Sequence, residues 1–190
     1  YQLAKAAVEK EDYAEAKELL LRAVGEYPHN LGEGKLESGQ ENNLYYLLGL
    51  VQEKLGEAKD AFESLTRACC RESEPVGMMY YNDQPPEMIY YQGLAYRMLG
   101  EEEQAVRRFQ KLVDYGREHI RDDVKIDYFA VSLPDLLIFE ENLNERNRKH
   151  CLFMMSLGLK GLGRIDEAEK CAEELLAMDN AHQEIRVHDL

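Results

Sequence analysis

His119 stands three and four residues before Asp122 and Asp123, with Asp127 a little further on. This is the one local grouping of an imidazole with carboxylates that could imitate a metal or acid–base site. Such ligands must converge on one helix face or within a tight loop. The run Gly116-Arg117-Glu118-His119-Ile120-Arg121-Asp122-Asp123 instead interleaves two arginines and resembles a solvated helix end. Cys69 and Cys70 fall where a helix ends, the negative end of its dipole, which raises a thiol pKa and weakens a nucleophile. Cys151 has His150 beside it, but neighbours on a helix point about 100° apart. All four cysteines are expected to be small, buried apolar groups. His182 and His188, near the C-terminus, are expected to be exposed. With 37 acidic residues, paired carboxylates are uninformative, and Glu140-Glu141 is most simply a helix end. There is no Walker loop, HExxH or GxSxG, and Gly32-x-Gly34 alone does not cradle a phosphate. The sequence predicts no catalytic residues, no metal and no cofactor.

The charge balance narrows the partners. Lys and Arg total 23 against 37 Asp and Glu in 190 residues, a net charge of −14. Phosphate backbones and anionic lipid surfaces need clustered cations, so nucleic acid and membrane surfaces are excluded as expected partners. The longest apolar stretch, Tyr128 to Phe139, is interrupted by Pro134 and Asp135, short of the roughly 18 residues that a span requires. The opening Tyr1-Gln2-Leu3-Ala4-Lys5 lacks the pattern of a signal peptide. Four cysteines with no CxxC spacing fit a reducing setting. The expectation is a cytoplasmic piece of a longer protein.

What must position any functional residue is a repeat. Gly49, Gly56, Ala61 and Leu65 recur as Gly93, Gly100, Ala105 and Phe109, and again as Ser156, Gly163, Ala168 and Ala172. Each time a small residue is followed by Gly, then Ala, then a core residue at fixed spacing. A fourth copy at the start has Ala4, Ala16 and Leu20, with Glu11 in place of the turn glycine. The pattern describes a helical hairpin. The first small residue permits close approach, the glycine ends the first helix, and the alanine marks where the second crosses it. Acidic residues then open the second helix (Glu57, Asp60; Glu101 to Glu103; Asp166, Glu167), favourable at its positive end. Pro85-Pro86 opens the third hairpin and Pro28 closes the first.

This spacing resembles the tetratricopeptide repeat, a helix–turn–helix unit of about 34 residues. The resemblance implies an all-α, right-handed α-α superhelix of about four irregular hairpins. It would be a single solenoid domain over 1–190, with repeats near 1–30, 42–75, 86–119 and 149–182. Enlarged inserts cover 31–41, 76–85 and 120–148. The last is expected to carry helices of its own, opened by Ser132-Leu133-Pro134-Asp135, with Asn142 and Glu145 resembling a capping box. Three phrases in the inserts, Asn30 to Leu36, Gln84 to Leu94 and Asp127 to Asp135, also resemble the C-terminal repeat region of large bacterial proteins. Those proteins carry an N-terminal mutarotase-like domain of unknown function.

In such a hairpin the fifth residue of each unit faces the concave groove. Those positions hold Tyr1, Tyr46, Tyr90 and Phe153; one turn on come Lys5, Leu50, Leu94 and Leu157, then Val8, Glu53, Arg97 and Lys160. Aromatic rings give large contact area at low entropy cost. Two readings stand side by side: a groove for a peptide or amphipathic helix, or rings that pack against the chain's own inserts. The resemblance implies a protein-interaction or scaffolding module rather than an enzyme. Its expected partner-binding residues are Tyr46, Leu50, Tyr90, Leu94, Arg97 and Phe153, and its partner is a protein, a peptide or another domain of its own longer chain. The Lys, Asn and Arg set that clamps a C-terminal carboxylate is absent, since only Lys5 and Arg97 suggest it. The alternative from another class is an accessory domain of a carbohydrate-acting protein, because tyrosines also stack on sugars. Homo-oligomers through exposed solenoid ends are a third expectation.

Overall fold

In the computed structural model, residues 1–25, 40–77, 83–125 and 142–187 are described. Among them are nine α-helices and no strands. These are α1 (Gln2–Glu9), α2 (Tyr13–Gly25), α3 (Asn42–Lys54), α4 (Ala58–Ala68), α5 (Pro86–Met98), α6 (Glu102–His119), α7 (Leu143–Gly161), α8 (Ile165–Met178) and α9 (Gln183–Val187). The expected all-α class of helical hairpins is what forms. Pro28, the glycine-rich stretch 31–39, Asp127, Ser132 to Asp135, Glu140-Glu141 and His188 lie outside the described residues.

One device closes four hairpins. Gly56, Gly100 and Gly163 have φ of 78°, 80° and 74°, the left-handed region where a Cβ is penalised. At each, the amide one residue on bonds the carbonyl five residues back: Glu57 to Gln52, Glu101 to Tyr96 and Arg164 to Leu159, all at 2.9 Å. The glycine amide bonds three residues back, as in a Schellman motif. The first hairpin does the same without glycine. Glu11 has φ 59°, and Asp12 N–H reaches Ala7 O at 2.9 Å.

The chain divides into two compact units. Unit 1 comprises Tyr1–Ser73 and Glu87–Arg108. Its core begins where α1, α2 and α3 meet through Ala4, Ala7, Ala16, Leu20, Leu47, Leu48 and Val51. A second cluster joins Leu65 and Ala68 of α4 to Ala95 of α5. The small residue of the repeat acts as expected at Gly49, where an added Cβ would stand 2.6 Å from Leu65 Cγ. Buried amide side chains bind helix ends that would otherwise leave carbonyls unsatisfied. Asn42 donates to Ala68 O and Cys70 O, both at 2.8 Å, and Gln92 donates to the chain just beyond α4, to Cys70 O at 3.1 Å and Glu72 O at 2.7 Å.

Unit 2 comprises Glu74–Pro86 and Phe109–Leu190. Every residue of α7 from Cys151 to Leu159 is buried, the signature of a helix enclosed all round. Its fit against α6 is close: a Cβ at Gly158 would lie 2.5 Å from Phe109 O. Of the expected capping box the N-cap half is present: Asn142 Oδ1 accepts from the amides of Asn144 and Glu145 at 3.1 and 3.2 Å, while Glu145 Oε1 turns to Lys149 Nζ at 3.6 Å. Asn147 donates to His119 O at 2.7 Å, the same amide-to-helix-end clamp as in unit 1.

Candidate interaction surfaces

In unit 1 the repeat register brings four tyrosines together. Tyr91 is the hub, 1% exposed, with its hydroxyl 2.7 Å from that of Tyr1. Its ring lies 5.4 Å from Tyr46, tilted, and 5.7 Å from Tyr90, edge-on. Burial pushes Tyr1 up to about 12, and Tyr46 and Tyr91 are raised as well, chiefly by burial. At neutral pH these phenols stay protonated and act as hydrogen-bonding tips, not as general bases.

Of the six expected contact residues, five belong to unit 1. Tyr46 and Leu50, one turn apart on α3, are half-buried, as is Leu94 on α5. Arg97 is exposed and its charge bears on Tyr46. Its guanidinium is not idle, for it makes a bidentate pair with Glu102, Nη2 to Oε1 at 2.8 Å and Nε to Oε2 at 3.0 Å. Tyr90, by contrast, is only 5% exposed. Edge-on packing to Tyr91 makes it a wall of the unit, leaving little ring for a partner to touch.

The sixth, Phe153, lies in unit 2 and is 3% exposed. The ring of His182 covers it, centroids 5.4 Å apart. The expectation of an exposed His182 is therefore corrected: its side chain is 16% exposed and serves as a lid on Phe153. Leu157, one turn on, is buried at 2%. Beside it a cavity of ≈ 230 Å³ is lined by Leu157, Lys160, Ala168, Glu169, Ala172 and Leu176 of α7 and α8, with Ile185 and Arg186 of α9 among its other walls.

The groups that could have done chemistry are committed elsewhere. His119 Nδ1 is 2.7 Å from Asp122 Oδ2 and its ring lies 4.3 Å from Tyr115, which makes it a helix-end pair. Among the described residues no group of three or more His, Cys, Asp or Glu could hold a metal ion. His150 and Cys151 do point apart: His150 Nε2 donates to Val76 O at 2.8 Å, while Cys151 Sγ faces Asn147 Oδ1 at 3.7 Å. Burial lowers the His150 pKa and so holds the ring neutral. For the cysteines the expectation of uniform burial is corrected. Cys151 is buried, Cys69 and Cys171 are half-buried, and Cys70 is exposed because it lies past the end of α4. Burial, with Glu101 adding to it, pushes the Cys69 thiol up to about 12; burial likewise takes Cys151 to about 11. These are thiols, not thiolates, at neutral pH.

Sequence reasoning missed Tyr91 and the amide clamps Asn42, Gln92 and Asn147. The available signal was an amide side chain set inside an otherwise apolar helix face.

Residues 1–75 match a sequence model described as tetratricopeptide repeat, and residues 87–115 match a second with the same description. These two stretches are tetratricopeptide repeats, and repeats of this kind generally mediate protein–protein interaction. Among solved structures the chain is similar to one described as the crystal structure of MamA. That match has 19% identity and a TM-score of 0.34, over 96% of this chain and 78% of that one. A second crystal structure of MamA protein matches at 19% identity and a TM-score of 0.33, over 100% and 74%. No described helix is long and apolar enough to cross a membrane.

Proposed function

We propose that this chain is a scaffolding module whose unit 1 docks a protein segment on the face bearing Tyr46, Leu50, Leu94 and Arg97. The segment belongs to another protein or to another part of a longer polypeptide. The observation that carries the reading is the partial exposure of Tyr46 and Leu50 beside the buried Tyr91, whose ring packs against Tyr46 and whose hydroxyl pairs with Tyr1. A ring already fixed by its neighbours loses little conformational freedom on binding, so more of its contact area counts toward affinity. Arg97, held by Glu102, borders that apolar surface with a fixed polar pair that sets the register of an incoming chain.

The test is a selection of displayed peptides on the full chain, repeated on a folded Tyr46→Ala, Leu50→Ala variant. Peptides enriched on the parent and at least tenfold weaker on the variant support the docking face. Peptides that bind both equally, or none at all, refute it. Saccharides bound by the parent and lost by the same variant would replace the protein segment with a carbohydrate.

A further inference from the structure

The adjacent thiols Cys69 and Cys70 stand where α4 ends and where α3, α4 and α5 of unit 1 are fastened together. Cys69 is the C-cap residue, and its amide is shared between Leu65 O and Thr66 O, both at 3.2 Å. Cys70 lies one position further, with its amide on Arg67 O at 3.1 Å and its thiol on Thr66 O at 3.3 Å. The Cys70 carbonyl is the anchor: Asn42 of α3 and Gln92 of α5 both donate to it, at 2.8 and 3.1 Å. Gln92 is in turn held by Arg108 of α6, Nε to Oε1 at 3.2 Å. Arg71, directly after, has φ 81°, a left-handed conformation that such a residue keeps only where its surroundings impose it.

We propose that Cys69 and Cys70 form a peroxide-sensitive dithiol, whose closure to a vicinal disulfide releases the end of α4 from Asn42 and Gln92. Exposure assigns the roles, since Cys70 is open to solvent and Cys69 is half-buried. The Cys70 sulfur gives up its proton and attacks one oxygen of hydrogen peroxide. The O–O bond breaks, Cys70 becomes a sulfenic acid, and the departing hydroxide takes up that proton as water. The Cys69 sulfur then attacks the Cys70 sulfur. An S–S bond forms, the S–O bond breaks, and the Cys69 proton leaves with the hydroxyl as a second water. Burial keeps Cys69 protonated and so a poor first target, but as a sequence neighbour it meets the sulfenic sulfur at high effective concentration. The negative end of the α4 dipole slows the first step, so the pair stays reduced until peroxide accumulates. Ring closure is incompatible with the clamp. Side chains of consecutive helical residues point about 100° apart, so the peptide joining them must turn. That turn breaks the Cys70 N–H bond to Arg67 O and swings the Cys70 carbonyl away from both amides. Adjacent Cα atoms lie about 3.8 Å apart, closer than in relaxed disulfides. The bond is therefore strained and easily reduced, which suits a reversible mark.

The experiment treats the full chain with hydrogen peroxide, alkylates the remaining thiols and digests the product with trypsin. Cleavage after Arg67 and Arg71 places both sulfurs in the single peptide 68–71. That peptide is expected to be unalkylated and lighter by two hydrogens, and to return to the dithiol with dithiothreitol. Cys69→Ser is expected to lose this reversible product and to accumulate Cys70 sulfinic acid, which dithiothreitol does not restore. Hydrogen exchange reads the release on the unmodified sequence. The amides of Cys69 and Cys70 are expected to exchange about tenfold faster in the oxidised chain than in the reduced one. Both cysteines alkylated after peroxide, a sulfinic Cys70 beside an alkylated Cys69, or a disulfide between chains overturns the dithiol. A closed ring with unchanged exchange overturns the release.

Discussion

The same repeat register has opposite outcomes on α3 of unit 1 and α7 of unit 2. On α3, Tyr46 and Leu50 stand one turn apart at equivalent repeat positions and keep part of their surface open. In unit 2, Phe153 and Leu157 occupy the equivalent positions and are 3% and 2% exposed. The helices that carry them differ accordingly. α3 keeps half-buried residues from Asn43 to Tyr46, whereas α7 is buried without interruption from Cys151 to Leu159. A repeat pattern thus sets the direction in which a side chain points, while whatever is packed over that direction decides whether it is a contact surface or a core. In unit 2 the cover is visible, for it is His182 and the segment that follows it.

The sharpest way to break this contrast is to remove the two rings. Phe153→Ala is expected to destabilise unit 2 by about 3–5 kcal/mol, the usual cost of emptying a buried aromatic site. It should also speed hydrogen exchange of α9, because His182 loses its seat. Tyr46→Ala, which deletes a half-exposed ring, is expected to cost about 1–2 kcal/mol. Urea unfolding of both variants checks the difference, and equal losses would mean that the two positions are equally enclosed.

A smaller effect tests how tightly each unit joins its helices. At Gly158 an added Cβ meets the carbonyl oxygen of Phe109 at 2.5 Å, and a backbone atom in α6 cannot step aside. At Gly49 the nearest obstacle is the Leu65 side chain at 2.6 Å, with Ala61 O at 3.3 Å. Gly158→Ala is therefore expected to cost about 2–3 kcal/mol and Gly49→Ala about 1 kcal/mol, both after the helix-propensity gain of replacing glycine. The reverse order in urea midpoints would show that Leu65 is the less yielding neighbour.

What could be read from the sequence divides along the same physical line. The turn glycines, the crossing alanines and the Asn142 cap depend on a few adjacent residues, and Gly56, Gly100, Gly163 and Asn142 all adopt the expected local geometry. The fates of Tyr90 and Phe153 depend on residues distant in sequence or on neighbours whose packing no local pattern encodes. Tyr91 becomes a hub only because Tyr1, some ninety positions away, reaches its hydroxyl. His182 looked exposed because its own segment is polar; nothing local says that it lands on an aromatic ring. Cys70 looked buried because cysteine usually is, yet it sits beyond the last turn of α4.

Glu11 offers the gentlest test of whether the four turns are one device. It adopts φ 59° and makes the same backbone bonds as its glycine counterparts, so it bears the Cβ penalty that they avoid. That penalty is about 1–2 kcal/mol for an ordinary L-residue in the left-handed region. Replacing it with glycine removes the strain but gives the unfolded chain more freedom, which returns about 0.5–1 kcal/mol. The net expectation for Glu11→Gly is a gain of about 0.5 kcal/mol, read as a small upward shift of the urea midpoint with an unchanged slope. The converse change, Gly56→Glu, reverses both contributions and should lose about the same amount. If instead Glu11→Gly destabilises the protein, the Glu11 side chain contributes more to the first hairpin than its backbone strain removes, and that turn is held differently from the other three.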